Sequence, residues 1–450
     1  MTIDTTNPPA PRGELLRILG ATFGVAVAVG SMIGAGILRA PASVARDVPN
    51  AGLMLALWAL GAVYVALQAN VVAELATAMP RAGGGYIYVR RAFGSVGGLV
   101  IGWTDWMSFV SAIAALSVAC ADFLALLWPA ATHYEVLAAI LVQLAIVGLN
   151  AIGLREGRRL QEFTSLIKAF ALAAFCVAAA VVAFHHPHPM AGGQKLATHA
   201  ATWLGVSAAF QLIAGAYAGW IAPAHFSEEN RDPGRSVPRA LGSGILFVAL
   251  LYLVVNGGLL AALGTQGMQA STLPFAAVLA STGSTIAGPL FALCAMLSVA
   301  SCANAQVMSA PRILLALARD GLLPSIFLRV NKGGSPYMGL VLTVLATAAL
   351  TFTGSFEIAF GLVATLNAAA SLMVIGAYFV LRRKAAELHR PFRAIAHPWL
   401  PMLGFVTSLA FFLLFLANNW IGGVYALALW LLCIPFALVA RRMRAQPAGS

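Results

Sequence analysis

The sequence predicts an all-α membrane protein with twelve transmembrane helices. Of its 450 residues, 60% are hydrophobic and only 9% are charged, against about 25% charged in an ordinary soluble domain. Mean hydropathy is +0.87, and apolar runs long enough to cross a bilayer recur along the whole chain. With 15 acidic and 27 basic residues, a secreted, disordered or nucleic-acid-binding chain is excluded, because so few charges cannot cover a large soluble core. At about 20 apolar residues per crossing plus a short connector, this length accommodates about 12 crossings.

Taken in order, the polar stretch 1–20 lacks the basic start and cleavage site of a signal peptide, so the first helix is expected to remain in the mature protein. Apolar runs place spans near 21–45, 52–79, 97–128, 135–153, 163–184, 205–227, 240–263, 286–311, 337–353, 356–381, 402–418 and 421–440. The chain therefore divides into a tail (1–20), a first five-helix group (21–184), a second (205–381), and a last pair of helices with the C-terminus (382–450). Of the 27 Lys and Arg residues, only Arg39, Arg46, Lys195 and Lys168 lie off one face of this topology. Lys168 is inside a span and the other three are on the opposite face. Basic loops stay in the cytoplasm, so both termini are expected there, in a bacterial-type cytoplasmic membrane. The net charge of +12 is then a signal of orientation. Cys120, Cys176, Cys294, Cys302 and Cys433 all sit in apolar stretches without CxxC or His spacing, which predicts packing residues and no metal or cofactor.

Two spans are interrupted. Span 1 carries Gly30, Gly34 and Gly36 in GSMIGAGIL; span 6 carries Gly215 and Gly219 in AGAYAGW, with Pro223 beyond. Each internal glycine costs about 1 kcal/mol relative to alanine. A GxxxG packing face is the alternative for Gly30 and Gly34. Each interruption opens a five-helix group, and an odd number of helices inverts the second group relative to the first. Such paired breaks point to a transporter site, where half-helix N-termini face an anion and freed carbonyls face a cation. An α-amino acid carries both charges.

Four strings in order, GSMIGAGIL (30–38), AYAGW with EENRDPGRSVPRAL (216–220, 228–241), NAQVMSAPRIL with ARDGLLP (304–314, 318–324) and RPFRAIAHPWLP (390–401), resemble the amino acid-polyamine-organocation superfamily, most closely its L-type amino acid transporter-like permeases. The resemblance implies a leucine-transporter-like 5+5 inverted repeat with discontinuous helices 1 and 6, and helices 11 and 12 outside it. It also implies a substrate carboxylate on the amides of Gly34, Ala35 and Gly36, and an ammonium on the carbonyls of Met32, Gly215 and Ala218. Asn304 falls near the pocket, with a bond to a neighbouring helix as the alternative. Lys168, ending QEFTSLIK (161–168), falls where sodium-coupled relatives hold sodium, near Gly34 and Ser298; snorkelling to the headgroups is its alternative. Permeases of this type carry a bulky aromatic residue just before the AY of span 6. Here that position is Gly215, so a taller pocket is expected unless another aromatic, for example Tyr217 or Trp220, takes its place.

The expected function is sodium-independent secondary active transport of a small-molecule amino acid across the lipid bilayer. Proton symport, exchange against a second amino acid and uniport are left open. A neutral substrate is expected because no acidic side chain is foreseen in the pocket and Ile221 and Ala222 follow the break; a cationic amino acid or polyamine is the alternative. Glu74, Asp105, Asp122 and Glu357 fall near predicted helix ends, which favours bonding between helices or at the interface. The HHPHP run from His185 reads as a solvated loop. No HExxH motif, catalytic pair or repeated ion filter is present, so enzyme and channel readings are not favoured.

Overall fold

The computed structural model describes residues 20–81, 83–152, 168, 172, 174–184, 199–271, 273–281, 286–331, 334–352 and 356–418, with positions 424, 427, 430, 431, 434 and 435. The N-terminal tail, the first part of span 5, the HHPHP run, Lys195, Cys433 and most of span 12 lie outside the described residues, as does the side chain of Glu357. Among the described residues the regular structure is helical throughout. Among the described residues, seven helices are long and apolar enough to cross a membrane, and the chain is an integral membrane protein.

The first predicted span is two helices, α1 (Ala21–Met32) and α2 (Ala35–Asp47). Next come α3 (Ala51–Ala78), α4 (Gly85–Leu127), α5 (Glu135–Ile152) and α6 (Ala174–Phe184). The sixth predicted span is again divided, into α7 (His199–Ala216) and a single turn, α8 (Ala222–His225). The remainder is α9 (Pro233–Ala270), α10 (Pro274–Ser281), α11 (Ala287–Arg319), α12 (Tyr337–Thr351), α13 (Phe356–Lys384) and α14 (Trp399–Asn418). Outward-facing rows such as Leu246, Leu250 and Val254 on α9 are exposed. Their four-residue spacing makes one apolar face suited to lipid.

Several helices outrun the expected spans. α4 begins at Gly85, not at 97, with a bend at Gly94 (φ 83°). α9 begins at Pro233, where Asp232 accepts the amide of Arg235 at 3.4 Å, and α11 continues to Arg319. Hydropathy marks only the lipid-buried part of a helix, whereas capping residues and proline at the first position set where it starts.

Charged residues tie the helix ends together. At the arginine-rich end, Glu74 meets Arg382 at 2.5 Å and Arg390 at 3.1 Å and accepts the amide of Ala394 at 2.7 Å. There too Arg90 meets Asp320 at 2.5 Å, Arg319 meets Glu228 at 3.2 Å and the buried pair Arg312–Glu229 closes at 2.8 Å. At the opposite end Arg39 of α2 meets Asp122 of α4 at 2.5 Å. Glu74 and Asp122 thus bond between elements. The strings EEN, PRIL and ARDG, at the end of α11 and in the loop before α9, are joined by the pairs Arg312–Glu229 and Arg319–Glu228.

Candidate functional site

The last carbonyls of any helix lack partners within the helix, and inside a membrane no water supplies them. At the end of α1, side chains from three other helical segments do so. Lys168 Nζ donates to the carbonyls of Gly30 (2.7 Å) and Ile33 (2.8 Å), Cys302 Sγ of α11 donates to Ser31 (2.9 Å), and the Tyr252 hydroxyl of α9 reaches Met32 (2.7 Å). That hydroxyl also lies 3.0 Å from the carbonyl of Ala216, the last residue of α7. One phenol therefore bridges the C-terminal ends of both half-helices with a single proton.

Lys168 is 1% exposed, and its ammonium is turned inward to the break in span 1, not out toward headgroups. The α11 side chain against this break is Cys302: a Cβ on Gly34 would stand 2.8 Å from it. Ser298, one turn earlier on α11, is buried. Gly36 abuts α7 so closely that a Cβ there would lie 2.6 Å from the Cα of Ala216. Gly219 adopts φ +98°, and a Cβ on it would come within 2.7 Å of the Ser31 carbonyl. The glycines of the two breaks are therefore contact points between them, requiring the absence of a side chain.

A cavity opens beside the second break. Ala218, Gly219, Trp220 and Ile221 line it, together with residues of α3, α4, α11 and α13; none of residues 30–36 does. Of the expected substrate contacts, Ala218 alone lines the cavity, while Met32, Gly34, Ala35, Gly36 and Gly215 are packed at the helix contacts. The Gly215 carbonyl accepts the amide of Ala218 at 3.0 Å. Asn304 accepts from Asn150 of α5 at 2.7 Å, a bond between helices, and Gln306 is the α11 side chain that faces the cavity.

One expectation needs correction, and the alternative attached to another holds. A pocket without an acidic side chain was expected, yet Asp105 lines this cavity with His225, Gln68, Ser108 and Asn367. Because α4 starts at Gly85, Asp105 stands well inside the helix and not near its end. The space above Gly215 is also filled, since a Cβ there would lie 2.8 Å from the ring of Phe360 on α13. Tyr217 and Trp220 do not fill it: Tyr217 donates to the Trp58 carbonyl at 3.1 Å and Trp220 lines the cavity. Ser108 donates to Asn367 at 2.8 Å and Ser371 to Gln68 at 2.6 Å. Asp105 Oδ2, His225 Nδ1 and Gln68 Nε2 have no hydrogen-bond partner among the described residues. An ionisable residue inside a span is a functional candidate by default, and for Asp105 and His225 that signal was present in the sequence.

Residues 22–438 match the family described as amino acid permease. The chain belongs to that family. The permease is 25% identical over 417 residues to the serine/threonine exchanger SteT of Bacillus subtilis, covering 88% of this chain and 90% of that one. It is 29% identical over 399 residues to cationic amino acid transporter 2, vacuolar, of Arabidopsis thaliana, covering 84% of this chain and 62% of that one. It is 26% identical over 393 residues to the large neutral amino acids transporter small subunit 2 of Rattus norvegicus, with 84% and 72% covered. The permease is accordingly an amino acid transporter by family. All four strings that carried the resemblance fall inside the matched range.

Proposed function

We propose that the permease is a sodium-independent secondary active transporter of α-amino acids, alternating access around the two breaks. The observation that carries this reading is the pair of interrupted helices, α1/α2 and α7/α8, with the Lys168 ammonium on the carbonyls of the first. A fixed cation at that point takes the role a bound sodium ion would have. In this reading residues 21–184 and 205–381 are two inverted repeats, the last two of twelve spans lie outside them, and both termini face the cytoplasm of a bacterial-type cell.

The substrate carboxylate goes to the amides of Gly34, Ala35 and Gly36, at the positive end of α2. Its ammonium goes to the carbonyls of Met32, Gly215 and Ala218. Loading then requires Tyr252 to release Met32 and the Gly36–Ala216 contact to part, so binding is coupled to movement between half-helices. A neutral substrate suits Ala218 and Ile221. Asp105 in the cavity favours a second reading, a cationic amino acid or polyamine exchanger, and relatives named for neutral and for cationic amino acids both occur.

The test is counterflow in proteoliposomes with a panel of labelled amino acids, in sodium and in choline, with and without a pH gradient. Stereoselective, saturable uptake in choline is expected; dependence on sodium would overturn the role given to Lys168. Competition by lysine, arginine or putrescine that disappears in Asp105→Asn would establish the second reading in place of the first.

A further inference from the structure

We infer that Phe360 is the lid of the candidate site and sets the largest side chain the site admits. The inference rests on the transport reading above but names a residue and a helix outside the two breaks. Phe360, Val363, Asn367, Ala370 and Val374 follow one another at steps of three and four along α13, which places them on one helical face. The last four line the cavity. Phe360 heads the same face, about 4.5 Å beyond Val363 at 1.5 Å per residue, on the side away from Arg382.

Its ring rests on both interrupted spans at once. A Cβ on Gly215, in the last turn of α7, would lie 2.8 Å from Phe360 Cε1, and one on Gly36, in the first turn of α2, would lie 3.4 Å from Cζ. Phe360 is 7% exposed. A single side chain from α13 therefore spans the two half-helices at the end of the cavity opposite the arginine-rich loops, in the volume left by having no side chain at 215. Because it belongs to neither broken span, opening this end requires α13 to separate from α2 and α7. A planar ring with few rotamers gives that closure a fixed height above the cavity.

The experiment uses purified permease in proteoliposomes and comprises wild type, Phe360→Ala, Phe360→Leu, Gly215→Phe and the double variant Phe360→Ala/Gly215→Phe. Wild type is first loaded with a panel of labelled amino acids; no saturable uptake of any of them would overturn the transport reading itself. With the best labelled substrate, competition by alanine, leucine, phenylalanine and tryptophan is then measured. Phe360→Ala should improve inhibition by tryptophan relative to alanine by about tenfold or more, with Phe360→Leu intermediate. Gly215→Phe alone should lose uptake, and the double variant should regain it with an order close to wild type, since one ring again occupies the same volume. A wild-type selectivity order in Phe360→Ala, or in Phe360→Leu if the alanine variant does not insert, overturns the inference. So does a double variant no better than Gly215→Phe. A role in packing alone would lower the amount of inserted protein without changing the order of competitors.

Discussion

Lys168 satisfies two carbonyls that no other group among the described residues is seen to reach, those of Gly30 and Ile33. Removing it leaves both without a donor in a membrane interior, at a cost of about 1–3 kcal/mol each. Lys168→Ala is therefore expected to insert, to lose most uptake in proteoliposomes and to melt at a lower temperature by fluorescence-detected size exclusion; wild-type uptake would remove the residue from the mechanism. Tyr252 works at the same scale. Tyr252→Phe keeps the ring edge-on to Trp58 and tilted against Tyr217 but takes away the proton shared by Met32 and Ala216. Its expected signature is altered substrate affinity with insertion unchanged, read as a shift in half-saturation in counterflow.

At the scale of elements, α2, α7 and the turn after it meet through glycines. Gly36→Val would drive a side chain into the Ala216 backbone, already only 2.6 Å from a bare Cβ. Overpacking of this kind typically costs about 1–3 kcal/mol, and with backbone as the obstacle the half-helices must separate. Uptake is expected to fall to background while Gly242→Ala, where a Cβ meets nothing within 4 Å, keeps wild-type uptake. Gly219→Ala tests the second break, because alanine must adopt φ +98° and approach the Ser31 carbonyl at 2.7 Å. Equal uptake in Gly219→Ala and wild type would mean that this contact opens freely in the working protein.

For the molecule as a whole, ion pairs hold both ends of the bundle. The pair Arg312–Glu229 is 4% and 0% exposed at its side chains, so Arg312→Ala strands a buried carboxylate and should destabilise by about 3–5 kcal/mol. Arg39–Asp122 is about a quarter exposed at each side chain, so solvent screens the pair in part and reaches Asp122 when the arginine is lost. Arg39→Ala should therefore lower the melting temperature less than Arg312→Ala does. A difference in melting between these two variants of less than a few degrees would contradict that ranking.

Composition and periodicity alone were enough to read a helical membrane protein and its two interrupted spans, since a bilayer forbids unpaired backbone and leaves long apolar runs one solution. The breaks at Gly34 and Gly219 were legible for the same reason: glycines in mid-span are costly unless the backbone departs from helix there. What answers the freed carbonyls was not legible in spacing, because Lys168, Tyr252 and Cys302 each come from more than 130 residues beyond the break, on three separate parts of the chain. Nor was the cavity. Asp105 faces it only because α4 packs against α11 and α13 around the cavity, and Phe360 covers Gly215 only because α13 packs against α7. A glycine records that something comes close; which side chain comes close is decided by helices that meet only in the folded protein.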